Sequence, residues 1–205
     1  MAYTGQQRFL IRDAQKYSDL GYKVGFAKGK NFVQEYQPDT AVMTFWGPIK
    51  TKNENHPEDF DGISIIPDEL VCVDIDIPDF GVVYEELPPT WKERTPRGWH
   101  LWYRLPMTIA ATALWEPKIK WRPHVDLLTK GKPAPNKKKS RYGGGGSVTV
   151  TGMGQVLTTS GPDHWGEHVL CSGTTGYQRV WPDEIPARDS LPQAPQWLQD
   201  ALLKV

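Results

Sequence analysis

Two carboxylates one residue apart sit in the middle of an apolar run, Glu69-Leu70-Val71-Cys72-Val73-Asp74-Ile75-Asp76-Ile77-Pro78. The run has the composition of a buried strand, on which successive side chains alternate between faces. Val71, Val73, Ile75 and Ile77 then share one face, and Cys72, Asp74 and Asp76 share the other. Alternate Cα atoms on a strand lie roughly 6.5 to 7 Å apart, so both acids can converge on one or two divalent cations. Without a cation, two carboxylates inside a sheet lose hydration and repel each other. The competing reading is a strand-end cap or a pairing with basic residues, and an Asp-x-Asp pair alone does not decide between the two.

Two later segments supply further groups. In Thr95-Pro96-Arg97-Gly98-Trp99-His100-Leu101-Trp102-Tyr103-Arg104-Leu105-Pro106 a turn feeds a strand whose alternation puts His100, Trp102 and Arg104 on one face. Ile119 to Thr129 reads as a third strand, with His124, Asp126 and Leu128 on one face. Taken singly, His100 reads as a hydrogen-bonded core histidine, Arg97 as a solvated turn residue and Asp126 as a strand cap. Taken together, Asp74, Asp76 and Asp126 beside His100 and Arg97 fit two-metal phosphoryl transfer, in which bound ions activate the attacking oxygen and offset charge on the leaving group.

The elements that must position these groups are a helix-flanked set of strands. Phe9, Leu10, Ala14, Tyr17 and Leu20 fall at helical spacing from Gln6 to Leu20, and Gly21 follows at the position of a left-handed cap. Tyr22 to Phe26 reads as a strand leading to the basic turn Lys28-Gly29-Lys30. Gly62 to Ile66 is expected to be a strand pairing with the Asp-x-Asp strand across a Pro67-Asp68 turn. Asp79 to Pro89 opens as a short helix. Ser147 to Thr151 and Gln155 to Thr159 read as a hairpin, Val169 to Val180 as a closing strand pair, and Pro195 to Val205 as a helix.

Thr129 to Tyr142 holds Lys130, Lys132, Lys137, Lys138, Lys139 and Arg141 with no acid between them, which makes it a flexible basic loop that is either solvated or in contact with phosphates. Gly143 to Ser147 spells a linker-like Gly-Gly-Gly-Gly-Ser and carries no fold signal.

The chain has 205 residues, 39% of them hydrophobic, which supports one large domain or two closely packed small ones. Its 24 basic and 24 acidic residues cancel, so any affinity for nucleic acid must reside in local patches. Two cysteines, Cys72 and Cys171, form neither a disulfide framework nor a zinc-ribbon spacing. No stretch approaches the roughly 18 to 20 apolar residues of a membrane span, and the N-terminus lacks a secretory signal's layout, so no membrane partner and a cytoplasmic location are expected. Nine tryptophans and 18 prolines favour a sheet-containing, loop-rich domain over a helical bundle.

In motif and order these residues resemble the archaeo-eukaryotic primase superfamily, and within it the primase-polymerase domains of phage and plasmid replication proteins. Val73-Asp74-Ile75-Asp76 looks like the first motif of that family, Thr95 to His100 like the second, and Val125-Asp126 like the third. The opening helix followed by Gly21-Tyr22-Lys23-Val24, and Thr159-Ser160-Gly161, also resemble family segments. The resemblance implies an α/β (α+β) primase-polymerase fold over residues 1–190. In it an N-terminal α/β module, about 1–66, packs on a module similar to an RNA-recognition fold, about 67–190. Residues 191–205 would form a C-terminal helix or the start of a linker to a downstream region.

The resemblance also implies that Asp74, Asp76 and Asp126 ligate Mg²⁺ or Mn²⁺ and that His100 contacts the triphosphate of an incoming nucleotide. Thr95, Arg97, Gly98 and Ser160 would help bind that nucleotide. Lys130, Lys137, Lys138, Lys139 and Arg141 are the candidate contacts to nucleic acid. The expected activity is DNA primase and DNA polymerase, a nucleotidyl transfer from nucleoside triphosphates on a single-stranded DNA template, with a helicase as a possible companion domain. The host cytoplasm would be the location for a phage protein. A metal-dependent nuclease and a non-catalytic nucleotide or single-stranded DNA-binding module are the alternatives. The sequence departs from the family in lacking a cysteine cluster for a zinc-binding stem, and its basic loop is outside the motif set.

Overall fold

The computed structural model describes residues 4–28, 31–36, 60–77, 87–112, 118–130, 148–150, 178–181 and 184–203. The basic turn at Gly29-Lys30, most of the expected helix from Asp79, the hairpin strand Gln155 to Thr159, Ser160, Cys171 and the loop residues Lys132, Lys137, Lys138, Lys139 and Arg141 lie outside the described residues. The protein is a mixed α+β protein with antiparallel sheets. It divides into two compact units, Met1–Ile65 with Thr149–Gln178, and Ile66–Val148 with Arg179–Val205. Among the described residues no helix is long and apolar enough to cross a membrane.

The first unit opens with helix α1, Gly5–Asp19. Thr4 starts it with a capping box: its hydroxyl accepts from the Gln7 amide at 3.2 Å, and the Gln7 side chain accepts from the Thr4 amide at 3.0 Å. Such a cap contributes about 1 kcal/mol by satisfying amides that the first turn leaves without partners. Leu10, Ala14 and Tyr17 form the buried stripe, whereas Phe9, placed by its spacing among the apolar positions, is exposed under the Arg12 guanidinium. Gly21 ends the helix at φ 87°, a conformation that costs glycine nothing. Strands β1 (Lys23–Lys28), β2 (Asn31–Glu35), β3 (Gly62–Ile66) and β9 (Val148–Val150) form a four-stranded sheet in the order β2-β1-β3-β9.

Strands β4 (Leu70–Ile75), β5 (Lys92–Arg94), β6 (Trp99–Arg104), β7 (Lys118–Arg122), β8 (Val125–Leu128) and β10 (Gln178–Trp181) form a six-stranded sheet in the order β10-β5-β6-β4-β8-β7. The pairings β5 with β6, β6 with β4, β4 with β8 and β8 with β7 are all antiparallel. One face carries Val71, Val73, Ile75, Leu101, Tyr103, Ile119, Val125 and Leu127. These residues cluster with Ile109 of helix α2 (Met107–Thr112) and with Leu198 and Leu202 of helix α3 (Gln196–Leu203). Fully burying each aliphatic chain is worth roughly 1.5–3 kcal/mol, so this face is what makes the sheet a rigid platform. The opposite face carries the polar groups.

Two expectations need correction. β3 does not pair with β4: it belongs to the four-stranded sheet, and both hydrogen-bonding edges of β4 are already taken, one by β6 and one by β8. The stretch Ile119 to Thr129 is not one strand but a hairpin. β7 and β8 fold back on each other through Pro123-His124, with His124 in the left-handed region at φ 62°. Proline has no amide for a ladder, which is why the strand breaks there.

Candidate metal centre

β4 runs down the middle of the six-stranded sheet, and Asp74 stands on it directly opposite His100 of β6 on one side and Asp126 of β8 on the other. The register continues outward, with Glu93 of β5 opposite His100 and Lys120 of β7 opposite Asp126. Directly opposed residues share a face, so Glu93, His100, Asp74, Asp126 and Lys120 form one row across five strands.

Asp76 follows the end of β4, held by its amide donating to the His124 carbonyl at 2.8 Å. Asp76 therefore joins the site from the segment beyond the strand, tied to the hairpin that bears Asp126. Asp74, Asp76 and Asp126 each place a carboxylate oxygen within 4.8 Å of the others. All three are half-buried. Hard oxygen donors converging at this separation fit a cation that prefers oxygen ligands, so the group could hold a metal ion.

Three cations flank these acids. Lys118 Nζ lies 2.5 Å from an Asp126 carboxylate oxygen, Arg97 Nη2 lies 3.3 Å from Asp76, and His100 Nε2 lies 3.5 Å from Asp74. The other ring nitrogen of His100 faces Glu93 at 3.9 Å, and Glu93 is fully buried. Burial pulls the His100 pKa down, but Asp74 and Glu93 more than reverse this and raise it to about 9. His100 is thus an imidazolium clamped between two carboxylates. Burial pushes the Asp74 carboxyl up, yet His100, Lys118 and Arg97 together hold it below the usual range. Asp126 raises the Lys118 ammonium, with Asp74 and Asp76 adding to the effect against a smaller loss from burial. Cys72, also on this face, is held as a thiol by burial and by the charges of Asp74 and Glu93.

No known protein family, curated protein or solved structure matches this chain.

The remaining sites expected from the sequence divide into three groups. Thr95 and Gly98 build the turn that carries Arg97. The Thr95 hydroxyl accepts from the Gly98 amide at 3.0 Å and the Arg97 amide at 3.4 Å, while the Thr95 amide donates to the Gly98 carbonyl at 2.9 Å. A Cβ on Gly98 would lie 1.7 Å from the Ile75 carbonyl oxygen, so glycine is what lets this turn lie against the end of β4. Arg97 itself is exposed, and its guanidinium is paired with Asp76. Lys130 is engaged with Asp68 at 2.8 Å. Ser160, Lys137, Lys138, Lys139 and Arg141 are outside the described residues.

Glu93 and Lys118 were not expected from the sequence. Glu93 sits between Lys92 and Arg94, a triplet that reads as solvated, and only its register against His100 reveals it. Lys118 had a usable signal in the alternation of Lys118, Ile119, Lys120 and Trp121.

A cavity of about 440 Å³ opens at the far end of β4, lined by Leu70, Arg104, Met107 and Arg188 among others. Its Arg188 is paired with Glu69 and Asp189, and none of the three clustered acids lines it.

Proposed function

We propose that this protein is a nucleotidyltransferase that synthesises and extends primers on single-stranded DNA, with a primase-polymerase fold whose catalytic module is the six-stranded sheet. The observation that carries the reading is the in-register opposition of Asp74 and Asp126 on neighbouring strands, with Asp76 brought within 4.8 Å of them. Like charges opposed across a ladder destabilise a sheet unless cations answer them. Lys118, Arg97 and His100 answer them one to one here, and are the charges that a divalent ion would supplement or replace. The order of these residues in the chain, with Thr95 to His100 between the first and third acids, is the order in which the primase-polymerase motifs occur.

In this reading Asp74, Asp76 and Asp126 hold Mg²⁺ or Mn²⁺. Bound there, the ions supply the charge that favours ionisation of the primer 3′-hydroxyl and offsets the developing charge on pyrophosphate. The chain's own residues do the positioning. Asp74 and Glu93 together keep His100 protonated, and His100 in turn faces Asp74 through Nε2. Buried with both ring nitrogens facing carboxylates, His100 positions Asp74 and leaves the contact to phosphate to Arg97. Arg97 presents its exposed, forked guanidinium on the same side, as bidentate recognition of phosphate requires. The triphosphate is a nucleoside triphosphate paired to the template base, and a helicase would act with the protein on the same strand.

The test is primer extension with a labelled primer, template, triphosphates and Mn²⁺. Asp74→Asn and Asp126→Asn are isosteric and should reduce extension to background while circular dichroism remains that of the wild type. Near-wild-type extension by either variant refutes the proposal. Strand shortening that needs metal but no triphosphate would instead assign a nuclease.

A further inference from the structure

Beyond the three acids, the six-stranded sheet carries a second charged feature. Among the described residues β7 is its outer strand, and from Lys118 to Val125 the chain contains no acid. Lys118, Lys120 and Arg122 are exposed, whereas Ile119 between them is buried in the core face. Lys118 is committed to Asp126, but Lys120 makes no ion pair among the described residues. The Arg122 guanidinium lies 4.1 Å from the centroid of Trp121, whose ring also stacks on Trp197 at 5.2 Å. Arg122 is therefore pre-oriented while its donors remain available to an anion.

We infer that the β7 edge, through Lys120 and Arg122, holds the sugar-phosphate backbone of a single nucleic-acid strand beside the acidic cluster. This rests on the nucleotidyltransferase reading and names the path by which its polymer substrate reaches the site. A strand bringing phosphodiesters up to three carboxylates meets repulsion, and cations on the adjoining strand of the same sheet are the complementary countercharge. A register shift between Lys120 and Arg122 sets Lys120 opposite Asp126 and Arg122 opposite the next residue of β8, Val125, so the two cations stand at successive positions along the edge, Lys120 on the face of the acids and Arg122 beyond the irregularity. Trp121 is covered by Arg122 and Trp197, so the edge grips phosphates and does not stack bases. Binding at this edge is consequently indifferent to sequence.

The alternative role for such lysines is to guard an outer strand against pairing with another copy. The experiment that separates the two is fluorescence anisotropy of a labelled oligothymidine and a labelled oligouridine. Each is titrated with the full chain in EDTA without triphosphate, across about 50 to 200 mM salt. Lys120→Ala and Arg122→Ala should each weaken binding and flatten the plot of log affinity against log salt. The slope should fall by about 0.7 for each phosphate that is no longer neutralised, and the double variant should show the sum. Equal effects on both oligomers mean that the edge reads the phosphates alone, and a larger effect on one identifies the strand it serves.

An unchanged slope in the double variant overturns the inference, and an unchanged slope with new self-association in light scattering assigns the edge-guarding role in its place. The slope is read without metal or triphosphate, so it stands apart from the chemistry. Failure here with Asp74→Asn inactive removes only the β7 path, while active Asp74→Asn refutes the nucleotidyltransferase reading and leaves the slope result intact.

Discussion

Asp126 stands directly opposite Asp74 in the β4–β8 ladder, two acids on one face of neighbouring strands. Opposed like charges destabilise such a pair, and the burden falls on whatever cation is near. A divalent ion should therefore stabilise the fold. At a hundredfold excess of Mn²⁺ over its Kd the gain is about 2.7 kcal/mol. For a chain of this length that is a rise in Tm on the order of 5–10 °C by scanning calorimetry. Asp126→Asn should remove most of that rise, and an equal rise in the variant would show that the ion binds elsewhere.

Lys118 holds Asp126 at 2.5 Å and so competes with any ion for the same oxygen. Lys118→Met should tighten Mn²⁺ binding severalfold, measured by isothermal titration calorimetry in the absence of nucleotide. Weaker binding in the variant would mean that Lys118 instead holds Asp126 in its ligating position.

The clamped His100 makes stability depend on pH in a definite direction. Its folded pKa of about 9 is above the ordinary 6.5, so its contribution is fully present below about pH 6.5 and is lost as pH rises through about 9. Urea midpoints measured in EDTA from neutral to alkaline pH should fall over that window for the wild type. They should be flatter for His100→Gln. Cys72 adds a loss of the same sign at higher pH, so the comparison is made in a Cys72→Ala background, and identical curves with and without His100 would disprove the clamp.

Gly98 is pressed against the end of β4, and a methyl there would meet the Ile75 carbonyl. Gly98→Ala should cost on the order of 1–3 kcal/mol in urea denaturation, the range for overpacking at a site with no room to yield. A variant as stable as the wild type would show that the turn moves freely.

On the other face, Leu198 of α3 is fully buried against the sheet. Leu198→Ala should destabilise by about 2–5 kcal/mol and leave Mn²⁺ affinity unchanged in calorimetry. A matching loss of affinity would mean that the apolar face tunes the geometry of the acids.

Much of the site was legible in the sequence because alternation on a strand is a local rule: it put Asp74 and His100 on the less apolar face, and register then set them opposite each other. What escaped was non-local. Which strands neighbour β4 is decided by pairings with β6 and β8, not by the proximity of β3 in the chain. Pro123, between Arg122 and His124 in the middle of the expected strand, was a signal for the hairpin that alternation alone overlooked. Glu93 was hidden by its charged neighbours, since nothing local distinguishes a carboxylate that meets a buried imidazole from one that meets water.

The bond from the Asp76 amide to the His124 carbonyl makes the tip of the β7–β8 hairpin a caliper. One jaw is Asp126, a short step along β8 from the tip, and the other is Asp76, leashed to the tip itself. The gap between the jaws is consequently set by the length of a two-residue bend, and the size of any ion held between them would be set with it. Changing that size would have its simplest handle there, in a turn that contributes no acid of its own to the cluster.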